Sequence, residues 1–446
     1  MNARMKYTKY LLILLLATSC ASRRTVQHRS YQADVKPTVP AVVQVPTPLV
    51  IEEEPEVEEP VISARPLVSQ VHRFPVGTWQ YEKQQALDSL CQSPIFETTQ
   101  LGLYVYDLTD GQPLYAVNAA HRMRPGSCQK VVTAITALHF LKGNYRLKTD
   151  FRITGTVKAG TLQGDLIVVG GMDPLVTDSE LLQAAATIKQ QQGIENIAGN
   201  IIYDLSMRED KPYGWGWCWD DDYGPLSALL VDGKDTFEQN WLNALSQAGI
   251  RVASEFGKRG QADRQSRSVY SIQHGIDALL ETMMKDSDNV YAECLFYQTA
   301  ATVGKKGAGY KQGAQRTEEL LRHIGFESGK YVVADGSGLS LYNYVTPEML
   351  VVLLGYAWRN QEIKEHLLPS LPIAGFDGTL KRRMIGTEAE GNVRAKTGTV
   401  TGVSALSGYL TTASGHTLVF SIINQGIPSA AVGRTFQDKV CQELCR

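Results

Sequence analysis

The chain has 446 residues, enough for two or three domains, and its 43% hydrophobic and 20% charged residues are typical of a soluble globular protein. Its formal net charge of -2 gives no reason to expect a nucleic-acid partner. The sequence has no His-Glu-x-x-His motif and no clustered His/Cys set, so we expect neither a metal nor another cofactor.

Residues 1–20 have the layout of a secretory signal peptide. Cationic residues precede the apolar run 11–17, which is far too short to span a bilayer. Cys20 follows three small residues, as at a bacterial lipoprotein processing site, so we expect a periplasmic protein with a lipid anchor on Cys20. Cleavage nearby, which would release a soluble periplasmic protein, is the alternative.

Residues 21–75 are rich in proline and glutamate, with an acidic run at 52–59. Such a segment cannot bury a core, so we expect an extended, disordered linker. It would let an anchored domain stand off from a membrane. A disordered leader without function is the alternative.

The folded part begins as a mixture of helix and strand at 76–149. The pattern predicts a helix over Trp79–Cys91, followed by two strands, Gly102–Leu108 and Pro113–Val117. An Asp-Gly pair joins the strands and is typical of a hairpin.

A different pattern of short strands separated by glycines occupies 150–272. The strands predicted in it include Phe151–Val157 and Gly164–Gly171. The helices predicted in it are Ser179–Gln192 and Thr236–Ala248. We therefore predict a strand-rich inserted domain at 150–272, between two parts of one domain at 76–149 and 273–446.

The segment around Ser127 places a hydroxyl beside an amine. Apolar residues at helical spacing over Val131–Leu141 predict a helix, with Gly143 at the position of a C-terminal cap. Ser127 then falls in its first turn, with Lys130 on the same face. A serine becomes a good nucleophile only when a base takes its proton, and a lysine can be that base when burial or a nearby cation disfavours its charge. Alone, the pair would be weak evidence, because a surface helix can contain it by chance.

A second polar segment is Ser287-Asp288-Asn289. It connects two predicted helices, Gly275–Lys285 and Val290–Ala301. Alone, it would be typical of a helix N-cap.

A third segment comprises Lys396, Thr397, Gly398 and Thr399, at the end of a predicted strand over 392–395. It offers a cation, hydroxyls and a backbone that a ligand can approach closely at the glycine. Alone, it would be typical of a turn. The elements predicted after it are the strands Val403–Thr411 and His416–Asn424, and a closing helix from about Ser429.

Together, in this order and each occurring once, the three segments resemble the motifs of the penicillin-binding D-alanyl-D-alanine carboxypeptidase/endopeptidase family, which carries an inserted domain. The resemblance extends from about residue 80 to the C-terminus. Further segments that share it are 164–166, 170–174, 335–340, 371–379 and 394–408. It implies an α/β (α+β) fold of the transpeptidase/β-lactamase type, with an antiparallel sheet flanked by helices.

The resemblance implies a serine peptidase that acts on peptidoglycan stem peptides or cross-links and binds β-lactams. Ser127 would attack the carbonyl between two D-alanines while Lys130 accepts its proton. The oxyanion would lie between the backbone N–H groups of Ser127 and Thr399. Ser287 would relay a proton to the leaving amine, and Asn289 would position Lys130 and the substrate amide.

The third segment would bind the substrate's terminal carboxylate through Lys396 and the hydroxyls of Thr397 and Thr399. Lys396 would also help to keep Lys130 neutral by like-charge repulsion. In this fold the first and last helices pack together, which would bring Cys91 within reach of Cys441 or Cys445 for a disulfide.

Two other functions are compatible with these motifs. A β-lactamase uses the same residues, but rapid deacylation needs an activated water, and the sequence offers no identifiable base for it. A non-catalytic peptidoglycan-binding anchor or sensor would not need Ser127, Lys130, Ser287 and Lys396 all to be present. We therefore favour the peptidase.

Overall fold

The computed structural model of the protein describes residues 71–218, 221, 224–253, 257–304, 306–327 and 329–446. The predicted signal peptide with Cys20, and the linker up to residue 70, lie outside these residues. In the described part of the chain, no helix combines the length and the apolar character needed to cross a membrane.

Ten helices are described: α1 Trp79–Cys91, α2 Gln129–Leu141, α3 Asp178–Gln192, α4 Phe237–Gln247, α5 Ile276–Lys285, α6 Asn289–Ala301, α7 Tyr310–His323, α8 Pro347–Arg359, α9 Gln361–Ser370 and α10 Ala430–Cys445. The described strands are β1 Gln100–Asp107, β2 Gln112–Val117, β3 Arg146–Ile153, β4 Thr156–Lys158, β5 Thr161–Gln163, β6 Leu166–Val169, β7 Asn196–Ile197, β8 Ile201–Asp204, β9 Arg251–Val252, β10 Lys258–Arg259, β11 Arg267–Gly275, β12 Arg394–Val400, β13 Val403–Thr411 and β14 Thr417–Gln425.

The largest sheet joins the two ends of the described chain in the order β12-β13-β14-β1-β2, with every pair antiparallel. Its three inner strands, β13, β14 and β1, are buried on both faces, because alternate side chains enter different apolar clusters. On β1, Leu103 packs in the cluster that includes Val440 of α10, whereas Tyr104 packs in the one that includes Ile135 of α2. The predicted antiparallel sheet flanked by helices is confirmed.

Two smaller sheets lie between α2 and α5 in the chain, in the orders β10-β8-β6-β3-β11 and β4-β5-β7-β9. Together with α3 and α4 they enclose a third apolar cluster around Phe151 and Trp241. The chain enters this region on β3 and leaves it on β11, and these strands pair antiparallel, with Arg146 opposite Gly275. The entry and exit points are therefore neighbours.

Helix α2 ends at Leu141 as predicted, but its start and its C-terminal cap differ from the prediction. Ser127 lies in a 3₁₀ turn, Gly126–Cys128, that precedes the first α-helical residue. The C-terminal cap residue is Lys142, which has a positive φ of +72°. Gly143 is instead crowded by the ring of His366, with which any Cβ would collide. Position 143 therefore needs glycine because a larger residue would not fit beside His366. The prediction that Gly143 caps the helix is wrong.

The expected disulfide between the first and last helices is absent. Helices α1 and α10 do pack together, but Cys91, Cys441 and Cys445 all carry free thiols. Burial raises the pKa of the Cys91 thiol, and the nearby Tyr115 hydroxyl donates to Asp88 at 2.9 Å.

His274, near the end of β11, contacts one carboxylate in the connection after β6 and another on α3. Its Nδ1 lies 2.8 Å from Asp173 and its Nε2 lies 3.0 Å from Glu180. The hydrogen bond with Asp173 is the main reason that the pKa of His274 is raised above its usual value of 6.5. The protonated ring therefore bridges two carboxylates.

We expect His274→Gln to destabilise the protein in acid and to have less effect in alkali. Because the folded state has the higher pKa, the stabilisation is fully present below 6.5 and is lost as the pH rises through the folded-state value. Its size should be about 1 kcal/mol, the upper end for partly exposed ion pairs. The measurement is the free energy of unfolding at about pH 5.5 and about pH 8.5.

His139→Gln is a matched control. Burial lowers the pKa of His139, so its contribution must grow as the pH rises. An equal loss of stability at both pH values in His274→Gln would contradict the ion-pair explanation.

Candidate active site

Ser127 and Lys130 lie within hydrogen-bonding distance at the start of α2. The 3₁₀ turn leaves Ser127 half-buried, whereas Lys130 has no exposed surface. Lys130 Nζ is 3.1 Å from Ser127 Oγ. The hydroxyl can therefore be reached from the cleft, while the amine beside it is shielded from bulk water.

The Lys130 amine has two further oxygen partners from distant parts of the chain. Nζ donates to Asn289 Oδ1 at 2.5 Å and to the Ser337 carbonyl at 2.8 Å. An ammonium group has three donors, which these two oxygens and Ser127 satisfy. A neutral amine would keep the two donated bonds and turn its lone pair towards Ser127.

Burial lowers the pKa of Lys130 to about 8, although the nearby carboxylates of Asp335, Glu293 and Asp288 act in the opposite direction. The uncharged amine is therefore accessible near neutral pH. Of the two causes that the sequence suggested, burial and a nearby cation, burial is the one that lowers the pKa of Lys130.

Lys396 is the second amine without exposed surface. Its Nζ donates to Ser287 Oγ at 2.8 Å and to the Thr397 carbonyl at 2.9 Å. Burial, followed by repulsion from Lys130, lowers the pKa of Lys396 to about 7. The like-charge effect expected on Lys130 thus appears at Lys396.

The connection between α5 and α6 presents two side chains to the two lysines. Ser287 has a left-handed backbone, with φ +62°, which is costly for a residue other than glycine. Asp288 caps α6 by accepting the N–H of Tyr291 at 3.0 Å. The cap fixes the start of the helix, so that Ser287 faces Lys396 and Asn289 faces Lys130.

Strand β12 carries the whole Lys-Thr-Gly-Thr segment and is an edge strand of the main sheet. It packs closely against the turn that holds Ser127. A Cβ on Gly398 would clash with the Pro125 carbonyl, and one on Gly126 would lie 2.9 Å from the backbone nitrogen of Thr399. The backbone of Thr399 is therefore brought beside that turn.

Two contacts at the site involve residues that were not among the predicted ones. Thr397 donates its hydroxyl to Thr379 at 2.8 Å, and the Ser337 carbonyl accepts from Lys130. Both partners lie in segments that contributed to the family resemblance, 335–340 and 371–379. The family resemblance drew attention to these two segments, but it did not identify Ser337 or Thr379 as site residues.

The segment 335–340 also contacts the smaller sheets' region, which is the part of the chain between α2 and α5. Asp335 accepts from the backbone of Gly338 and Ser340 at 2.8 and 2.6 Å. It also accepts the indole N–H of Trp217, from the connection after β8, at 3.0 Å. The wall of the cleft that supplies the Ser337 carbonyl is thus held partly by that region.

A possible metal-ligand group in the described residues is Asp107, Asp110 and His416. His416 Nδ1 lies 2.8 Å from Asp107, which also accepts the Thr109 backbone N–H at 2.8 Å. These contacts join β1 to the start of β14. None of the predicted site residues belongs to the group.

Comparisons with known proteins match most of the chain. The family model "D-Ala-D-Ala carboxypeptidase 3 (S13) family" matches residues 83–237 and 224–444. A carboxypeptidase DacB of Mycolicibacterium smegmatis is 31% identical over 385 residues, which cover 77% of this chain and 80% of the relative. A D-alanyl-D-alanine carboxypeptidase DacB of Haemophilus influenzae is 27% identical over 408 residues, which cover 73% and 85%.

Solved structures give the same grouping. The crystal structure of penicillin binding protein 4 (dacB) from Haemophilus influenzae matches with a TM-score of 0.71 and 24% identity, covering 80% of this chain and 98% of that one. A second structure of that protein, in complex with a β-lactam, matches with a TM-score of 0.69 and 26% identity, covering 81% and 99%.

We expect Gly398→Ala to lower the rate of acylation by a fluorescent penicillin roughly a hundredfold or more. The added methyl group would push β12 away from the Ser127 turn, and displacements of about 1 Å have effects of this size on catalysis. The measurement is the second-order rate constant of labelling.

Gly275→Ala is the control, because a Cβ on Gly275 meets no atom within 4 Å. Its labelling rate should match that of the parent protein. Unchanged labelling of folded Gly398→Ala would show that the close approach of β12 is not needed.

Proposed function

The chain belongs to the D-Ala-D-Ala carboxypeptidase 3 (S13) family and is a serine-type D-Ala-D-Ala carboxypeptidase, and from this premise we propose that Ser127 is its nucleophile and Lys130 its general base. The observation that carries the proposal is the 3.1 Å separation of Ser127 Oγ and Lys130 Nζ, at an amine whose pKa burial lowers to about 8. About a tenth of such an amine is neutral at pH 7. That fraction is enough for a general base.

In the proposed acylation, Ser127 Oγ bonds to the carbonyl carbon between the two D-alanines as its proton passes to Lys130 Nζ. The oxyanion accepts hydrogen bonds from the backbone N–H groups of Ser127 and Thr399, consistent with the packing of β12 against the Ser127 turn. As the C–N bond breaks, the proton that Lys130 took from Ser127 passes to the departing amine by way of the Ser287 hydroxyl, and D-alanine leaves. Asn289 holds Lys130 throughout, through its 2.5 Å contact.

We assign the terminal carboxylate of the substrate to Lys396, Thr397 and Thr399. A carboxylate beside the Lys396 amine would favour its charged form and so raise its pKa from about 7. Beyond its bridge to Ile373 at Arg394, the outer edge of β12 offers backbone groups to an extended peptide, as in other β-strand additions. Gly398 leaves room for this approach.

We further propose that residues 76–149 and 273–446 form the catalytic domain and that 150–272 is an inserted domain. The adjacent entry and exit strands support this division, since a region joined at one place can be inserted without breaking the main sheet. The contact of Trp217 with Asp335 supports a position of part of the insertion beside the proposed cleft. An insertion there suits a polymeric substrate such as cross-linked peptidoglycan.

A β-lactamase remains the less supported alternative, because the relatives are named carboxypeptidases. Turnover of nitrocefin at a rate comparable with D-alanine release would favour it. A non-catalytic anchor is disfavoured by the family and by the intact set of four polar groups.

We expect Ser127→Ala to abolish both D-alanine release and covalent labelling by a fluorescent penicillin, because the bond-forming oxygen is removed. Purified sacculi are the substrate, and mass spectrometry identifies the products. Free D-alanine reports carboxypeptidase action, and separated stem peptides report endopeptidase action. Retained release of either product by the pure variant would remove Ser127 from the mechanism.

We also propose that the chain reaches the periplasm and is anchored by a lipid on Cys20. Cys20→Ser should lose incorporation of labelled palmitate and move from the membrane fraction to the soluble periplasmic fraction. An unlabelled parent protein would favour plain signal cleavage.

A further inference from the structure

Glu293 is a fully buried carboxylate that the proposed mechanism does not use. It lies on α6 four residues after Asn289, and therefore on the same face of that helix. Its Oε1 accepts the backbone N–H of Gly336 at 3.1 Å and that of Ser337 at 2.8 Å. Burying a carboxylate is costly, so these contacts call for an explanation.

The backbone that Glu293 holds is the one that holds the general base. Ser337 donates its N–H to Glu293, and its carbonyl accepts from Lys130 at 2.8 Å. Helix α6 thus contacts Lys130 twice, directly through Asn289 and indirectly through Glu293. The two contacts place two oxygens around one amine.

Helix α2 fixes the same segment from the other side. Thr133, three residues after Lys130, donates its hydroxyl to the Gly336 carbonyl at 2.7 Å. A Cβ on Gly336 would lie 2.7 Å from the Ala292 carbonyl oxygen, so α6 and this segment are in close contact. The segment is therefore clamped between the helix that carries the base and the helix that carries Glu293.

The charge of Glu293 also acts on the base. It is among the carboxylates that raise the pKa of Lys130 against the effect of burial. Burial, followed by the charge of Asp335, in turn raises the pKa of Glu293, whereas the hydrogen bonds from Gly336 and Ser337 favour its charged form.

We propose that Glu293 is a positioning residue that holds the Ser337 carbonyl against the Lys130 amine, and so directs the lone pair of that amine towards Ser127. The inference rests on the proposed roles of Ser127 and Lys130. Glu293 itself touches no reacting atom. It acts through the peptide group of Ser337 and through its charge.

The test is the pH dependence of acylation by a fluorescent penicillin between about pH 5.5 and about pH 9.5. In Glu293→Gln the amide oxygen can still accept from both backbone N–H groups, so the variant should remain active. Loss of the negative charge should move the acidic limb of the rate profile to lower pH by roughly half a unit or more. Glu293→Ala leaves two buried donors unpaired and should lower the maximal rate at least roughly tenfold.

Glu348→Gln is the matched control. Glu348 is another buried glutamate whose pKa burial raises, and it lies on α8. Its Oε2 has no hydrogen-bond partner. The same chemical change there should leave the acidic limb in place.

An unmoved acidic limb in Glu293→Gln would overturn the proposal, and lowered thermal stability with an unmoved limb would show a merely structural role. A fully active Glu293→Ala would also overturn it. If the alanine variant does not fold, the glutamine variant decides the question. Activity of Ser127→Ala would instead refute the mechanism on which the inference rests, and the two failures are therefore distinguishable.

Discussion

The burial of two lysine amines is the constraint on which the rest of the structure depends. Lys130 and Lys396 have no exposed surface, and removing a charged amine from water costs several kcal/mol unless protein oxygens replace the water. Those oxygens come from sites far apart in the chain, including Asn289, Ser287 and the Ser337 carbonyl. The fold must therefore bring these segments together before either amine can be buried.

Bringing these segments together requires strained or crowded backbone conformations, and several of them lie at the site. Ser287 adopts a left-handed conformation that is unfavourable for any residue with a side chain. Gly126 and Gly398 allow β12 to lie against the turn that holds Ser127. The apolar clusters on both faces of the main sheet supply the stability that holds these strained and crowded positions in place.

The sequence was most informative where the chemistry resides in side chains. The bounds of α1 were predicted to the residue, and those of α3, α5 and α6 to within one, because apolar periodicity and caps mark helices directly. The Ser337 carbonyl gave no such signal, since every residue has one and its partner Lys130 is 207 positions away. Burial was one of two causes that the sequence suggested for a low pKa of Lys130, and the choice between them needed the structure, because burial is a property of the packed core.

The cleft wall at 335–340 shows how one residue can serve two parts of a protein. Asp335 accepts from the backbone of its own segment and from Trp217 of the smaller sheets' region, while Ser337, two residues on, bonds to Lys130. A shift of Trp217 would alter the hydrogen bonds that shape this segment. Because the backbone is continuous, the Ser337 carbonyl would then be displaced as well. Glu293 and Thr133 oppose such a shift from α6 and α2. The position of the buried amine is thus set by a balance of contacts from three directions, of which only one comes from its own helix.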